Sequence, residues 1–92
     1  MKIILEYTAQ LRRAAGCVRE ALELNDGATL SELLQAAGER HGDEFRRQLL
    51  TDSGDLRPSL LLFRGDEQVP AGSSPHLADG ETVTVMSPIS GG

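Results

Sequence analysis

The sequence predicts an α+β domain in which a mixed sheet of four to five strands carries one main helix packed across one face. Three observations lead there. Two segments of alternating apolar residues open the chain, one stretch of helical spacing follows, and strand signals resume only after it. Two strands, a helix and then two or three strands cannot alternate into a doubly wound sheet, so the helix must lie across one face.

Lys2 to Tyr7 places Ile3, Leu5 and Tyr7 on one side of an extended segment, and Val18 to Leu24 places Val18, Glu20, Leu22 and Leu24 on one side of a second. The connection from Thr8 to Cys17 is too long for a tight hairpin. It reads as an ordered loop, with a short helical turn at Leu11, Ala14 and Ala15 ending at Gly16. After the Asp26-Gly27 turn, Thr29 stands three residues before Glu32, the spacing at which each side chain satisfies an unpaired backbone N–H of the other. A helix therefore begins near Leu30. Leu30, Leu33, Leu34 and Ala37 form its buried stripe, Glu32, Gln35 and Glu39 face water, and Gly42 ends it.

Asp43 to Leu50 reads as a second short helical piece, with Phe45 and Leu49 four apart. Leu60 to Phe63 is a continuous apolar run between Pro58 and Arg64-Gly65-Asp66, too short for a helix, and a return through Gln68 and Val69 makes a hairpin. Pro70 to Pro75 has the composition of a connector. Ala78-Asp79-Gly80 then turns the chain into a last strand, Glu81 to Met86. A β-grasp arrangement satisfies this order, with the first and last strands parallel neighbours at the sheet centre and the helix making a right-handed crossover. The organisation is a β-grasp domain over 1–86 and a flexible tail over 87–92 ending in Gly-Gly.

Ninety-two residues suffice for one small core, and with three aromatics, Tyr7, Phe45 and Phe63, that core is mainly aliphatic. Cys17 is the chain's one cysteine, so no internal disulfide forms and a reducing, cytoplasmic setting is expected. The apolar start is broken by Glu6, far short of a signal-peptide core or a membrane span, so no membrane partner is expected. Fourteen acidic residues against nine basic ones give a net charge of −5, which argues against nucleic acid as a ligand.

Pro88 in the segment Ser87-Pro88-Ile89-Ser90-Gly91-Gly92 donates no strand hydrogen bond and biases Ser87 toward an extended conformation, so the chain leaves the sheet there. Fully extended, the segment reaches about 20 Å, enough to enter another protein's cleft. Two glycines remove every Cβ near the chain end, so a narrow channel can admit it and a nucleophile or phosphate can approach the carboxylate. Ionised at neutral pH, that carboxylate is a poor electrophile and needs activation, most simply by adenylation.

The run Leu77-Ala78-Asp79-Gly80-Glu81-Thr82-Val83-Thr84-Val85, followed by Ser87-Pro88-Ile89-Ser90-Gly91-Gly92, resembles the C-terminal signature of the MoaD/ThiS family of ubiquitin-like sulfur carrier proteins. Asp26-Gly27-Ala28-Thr29-Leu30 before Glu32-Leu33-Leu34, Leu11-Arg12, and Leu56-Arg57-Pro58-Ser59 extend the likeness over nearly the whole chain. The chain departs from it at Arg64-Gly65-Asp66, where relatives often carry Asn-Gly, and in a long centre from Asp43 to Asp55.

The resemblance implies a ubiquitin-like β-grasp fold and a carrier or accessory subunit with no catalytic residues of its own. It further implies that an ATP-dependent adenylating enzyme of the ubiquitin-activating kind acts on Gly92. A sulfur donor then converts the acyl-adenylate to a thiocarboxylate, which serves a sulfur-accepting enzyme such as a molybdopterin synthase large subunit. Gly91 keeps the approach open, and Ser90, Ile89 and Pro88 position the tail. ATP is the partner's, and no cofactor is bound by this chain. Molybdopterin synthesis is the favoured pathway, with carriers for cysteine, thiamin or tRNA thiolation as alternatives. Two readings from other classes are a modifier joined to proteins through Gly92 and a non-covalent binding module.

One helix covers one sheet face, yet Leu60 to Phe63 puts apolar side chains on both, and Ile4 opposes Ile3 and Leu5. Leu61 and Phe63 are therefore the candidate partner surface. Cys17 reads as a small buried hydrophobe rather than a sulfur-transfer nucleophile. His41 and His76 have no further Cys or His at ligand spacing, and no metal site is expected; His41 reads as a helix-end residue.

Overall fold

The computed structural model describes residues 1–87. The expected tail residues Pro88, Ile89, Ser90, Gly91 and Gly92 lie outside the described residues. Strand β1 (Lys2–Tyr7) turns Ile3, Leu5 and Tyr7 inward, each at most 1% exposed, as the alternation requires. Its partner β2 (Arg19–Glu23) runs antiparallel and is shorter than the sequence suggests. Val18 precedes it and is 54% exposed rather than inward-facing, and of the four residues expected on its inner side Leu22 alone is fully buried.

The segment expected as an ordered loop is instead helix α1 (Ala9–Ala15), closed by Gly16 in the left-handed conformation with its N–H on the Arg12 carbonyl. Its seven residues are good helix formers but too few to hold a helix alone, and Leu11, docked into the core at 3% exposure, supplies the tertiary support. Thr8 stands at its N-terminus but makes no side-chain cap; its hydroxyl is turned to the sheet, where it accepts the Ser87 N–H and donates to the Val85 carbonyl, both at 3.2 Å.

Helix α2 (Leu30–His41) starts with the reciprocal cap: the Glu32 N–H donates to Thr29 Oγ1 at 3.3 Å and the Thr29 N–H donates to Glu32 Oε1 at 3.1 Å. Leu30, Leu33, Leu34 and Ala37 face the core. Glu32 and Glu39 face water, whereas Gln35 is half-buried and donates to the Gly54 carbonyl at 2.9 Å. Gly42, at φ +92°, breaks the chain between α2 and helix α3 (Asp43–Leu49), which buries Phe45 and Leu49. Gly38 lets the two helices approach, since a Cβ there would stand 3.3 Å from the Arg46 side chain.

Strand β3 (Leu61–Arg64) begins one residue later than the apolar run and returns through Gly65 and Asp66 into the short β4 (Glu67–Gln68), giving the expected hairpin. Strand β5 (Thr82–Met86) buries Val83 and Val85. The five strands lie in the order β2-β1-β5-β3-β4. β1 and β5 are parallel, Leu5 beside Val83, and the other neighbouring pairs are antiparallel. This is the ubiquitin-like β-grasp arrangement, with the core between the sheet and α2.

The turn into β5 is fastened by Glu81, whose carboxylate accepts from Nε and Nη2 of Arg64 on β3 and from the Ala78 N–H at 2.8 Å. The Arg64 guanidinium first, and the Ala78 amide after it, hold the Glu81 carboxyl below its ordinary range against the opposing effect of burial. A carboxyl depressed on folding stabilises the fold above its unfolded value, and that contribution is lost as pH falls through the folded one. Glu81→Gln is therefore expected to cost on the order of 1 kcal/mol at pH 7. It should also flatten the loss of stability on acidification below about pH 4.3, the ordinary value of a glutamate. Urea unfolding of both proteins between pH 7 and pH 3 measures this, and equal slopes would deny Glu81 the role.

Candidate functional site

The strand pairing defines two faces of the sheet. α2 covers the face carrying Ile3, Leu5, Leu62, Val83 and Val85. Alternation sends Ile4, Glu6, Leu61, Phe63, Thr82, Thr84 and Met86 to the other. On that open face Phe63 stands beside Thr84, Leu61 beside Met86, and Ile4 beside Thr82 and Ala21. Leu61 and Phe63 are half-buried by these neighbours, and Met86 is 37% exposed. The face is thus apolar along β3 and at Met86, and polar nearer its centre, where Glu6 accepts from Thr84 Oγ1 at 3.1 Å and pairs with Arg19 at 3.7 Å.

The chain leaves this surface at a fixed point. β1 and β5 run parallel and finish together, Tyr7 beside Val85, and one hydroxyl joins their ends. Thr8 Oγ1 donates to the Val85 carbonyl and accepts the Ser87 N–H, both at 3.2 Å. The pairing extends by one side-chain bond just where the ladder stops, so residue 87 starts from a defined place next to Met86 and Leu61. Sequence patterning showed the apolar face but not this clamp, whose two ends are 79 residues apart.

Cys17 is half-buried rather than fully enclosed. Burial, and then the nearby Glu20 carboxylate, push its thiol up from the ordinary range, which keeps it protonated at neutral pH and a weak nucleophile. His41 is the last residue of α2, as the sequence suggested, and His76 Nδ1 lies 2.7 Å from the Gly27 carbonyl in an exposed loop. No helix among the described residues is long and apolar enough to cross a membrane.

The profile of the ThiS family matches residues 5–92. The chain belongs to the ThiS family. Its members are ubiquitin-like sulfur carriers and modifiers, and solved structures similar to this ThiS-family chain share the whole fold. SAMP1 from Haloferax volcanii superposes with a TM-score of 0.86 at 23% identity, covering 100% of both chains, a likeness of fold alone. A putative molybdopterin converting factor subunit 1 from Pyrococcus furiosus gives 0.76 at 25% identity over 97% of this chain and 99% of that one. Urm1 from Trypanosoma brucei gives 0.77 at 26% identity over 99% of this chain and 95% of its own. No curated protein sequence matches the chain.

Proposed function

We propose that this chain is a sulfur carrier loaded at Gly92, and that the sulfur goes to molybdopterin synthesis. The observation that carries the reading is that the ThiS match continues through residue 92, past the end of the sheet and through the Gly91-Gly92 pair. The pathway rests on the likeness to a molybdopterin converting factor subunit and on the Pro88-Ile89-Ser90 approach to the glycines.

An adenylating partner supplies the ATP site. The Gly92 carboxylate attacks the α-phosphate of ATP and pyrophosphate leaves, giving an acyl-adenylate. Hydrosulfide attacks the carbonyl carbon, the bond to AMP breaks and AMP departs, and loss of the sulfur's proton leaves the thiocarboxylate. The chain itself contributes placement. Thr8 fixes where the tail starts, Pro88, Ile89 and Ser90 guide it, and Gly91 with Gly92 leaves the carbonyl open to both attacks. Leu61 and Phe63 on the open face dock first the adenylating enzyme and later the sulfur-accepting subunit, by burying apolar surface beside the tail's origin.

The test is the intact mass of the chain after incubation with the adenylating enzyme, ATP and a sulfide source, beside a version lacking Gly92. The expected result is a gain equal to exchanging one oxygen for sulfur, absent from the truncated chain. An unchanged mass with an enzyme that adenylates a control carrier would overturn the reading. Higher-mass amide conjugates in cells without a thiocarboxylate would favour a modifier instead.

A further inference from the structure

The chain has one cysteine and two histidines, and the fold brings the cysteine and one histidine to a single point. Cys17 lies in the link from α1 to β2, Glu20 is the second residue of β2, and His41 ends α2. Their sulfur, carboxylate oxygen and imidazole nitrogen lie within 4.8 Å of one another. We propose that Cys17, Glu20 and His41 bind one thiophilic divalent ion of the zinc class, with a fourth position open to water.

Several features of the cluster fit such an ion. Thiolate, imidazole and carboxylate are the donor types zinc takes, at about 2.3 Å for sulfur and ~2.0–2.2 Å for nitrogen and oxygen. Donors on a tetrahedral ion therefore stand roughly 3.3–3.8 Å apart by those bond lengths. Glu20 and His41 already touch through Oε2 and Nε2, and an ion would take the place of that contact, needing a small rotation of Glu20 and closure of Cys17. Binding releases the Cys17 proton, and the resulting thiolate and the Glu20 carboxylate bring two negative charges to the divalent cation, with Arg40 beside Glu20 Oε1 as an outer positive charge.

The donors are also held in place by groups outside them. The His41 ring packs at 6.0 Å from Tyr7 and 4.8 Å from Phe45, centroid to centroid, which fixes its orientation. The Glu20 carboxylate accepts from the Tyr7 hydroxyl at Oε2, and Arg40 Nε lies 3.1 Å from Oε1. Such outer hydrogen bonds orient ligating carboxylates in metal sites. An ion-pair cluster alone accounts for Glu20, Arg40, Tyr7 and His41, but among the described residues the thiol takes no part in that network. An ion gives all three donors one role. The side chains of Glu20 and His41 are 9% and 13% exposed, and Cys17 is half-buried, so the site is shielded yet reachable.

The experiment uses the full chain, reduced and stripped with a chelator, titrated with Co²⁺ as a coloured probe and with Zn²⁺ in competition. The proposal expects one ion per chain, a thiolate-to-cobalt absorption band in the near ultraviolet, and its loss on adding Zn²⁺. Removing a second-shell partner costs ~10–100-fold in metal affinity, so Cys17→Ser should lose the band and weaken Zn²⁺ binding by ~100-fold or more. His41→Gln should weaken Zn²⁺ similarly, and His76→Gln should change nothing. Absence of the thiolate band in the unaltered chain, whatever the variants do, would overturn the site. Zn²⁺ binding equal in the Cys17→Ser variant would equally reduce it to an adventitious ion only.

Discussion

Phe45→Ala is expected to remove about 3–5 kcal/mol of stability, the range for deleting a buried aromatic ring and leaving its cavity. Phe45 is fully buried in α3, with its ring edge-on to Tyr7 of β1 at 5.3 Å and tilted against His41 of α2 at 4.8 Å. One side chain thus joins the third helix, the second helix and the sheet. A domain of this size has roughly 5–14 kcal/mol in total at 0.05–0.15 kcal/mol per residue, so the change consumes a large share. The thermal midpoint should fall by ~15 °C or more. Phe45→Leu, which keeps most of the volume, should cost less than half as much. Urea and thermal unfolding measure both, and a Phe45→Ala loss under about 1.5 kcal/mol would mean that the site collapses and the ring closes no core.

That position also shows what could be read from the sequence. Phe45 and Leu49 are four apart, and the helix they define was legible from spacing alone, as were β1 from its alternation and α2 from the Thr29–Glu32 cap and the Leu30, Leu33, Leu34, Ala37 stripe. In each case the buried set repeats at the period of the element. α1 was under-read because it carries one fully buried residue, Leu11, and its Thr8 side chain bonds the sheet instead of capping the helix. Val18 has the parity of the inner side but lies one residue before β2, where its carbonyl still accepts the Tyr7 N–H at 2.9 Å while its side chain is exposed. The pairings that depend on distant chain segments left no local trace. Thr8 with Ser87, Gln35 with Gly54, and Cys17 with His41 are set by topology, and no spacing rule connects them.

The open face yields the other large effect. Leu61→Thr combined with Phe63→Thr is expected to raise KM for adenylation by about 10–100-fold while leaving kcat at saturation nearly unchanged. Both residues lie on the face that α2 does not cover, with Leu61 next to Met86 at the end of β5. Fully burying a leucine or a phenylalanine is worth about 1.5–3 kcal/mol, and since both side chains are already half-buried in the free chain, losing the two costs roughly 1.5–3 kcal/mol of binding in all. Threonine keeps the strand preference and accepts water, so folding should survive with a loss of about 1–2 kcal/mol because both side chains are only half-buried. Uniform loss of binding with intact chemistry appears in KM and not in kcat. Glu44→Gln, on α3 and away from the open face, serves as the control and should leave KM unaltered. Adenylation kinetics with the purified partner, at matched fractions folded, make the measurement. An unchanged KM in the double variant would show that the adenylating enzyme does not dock on Leu61 and Phe63.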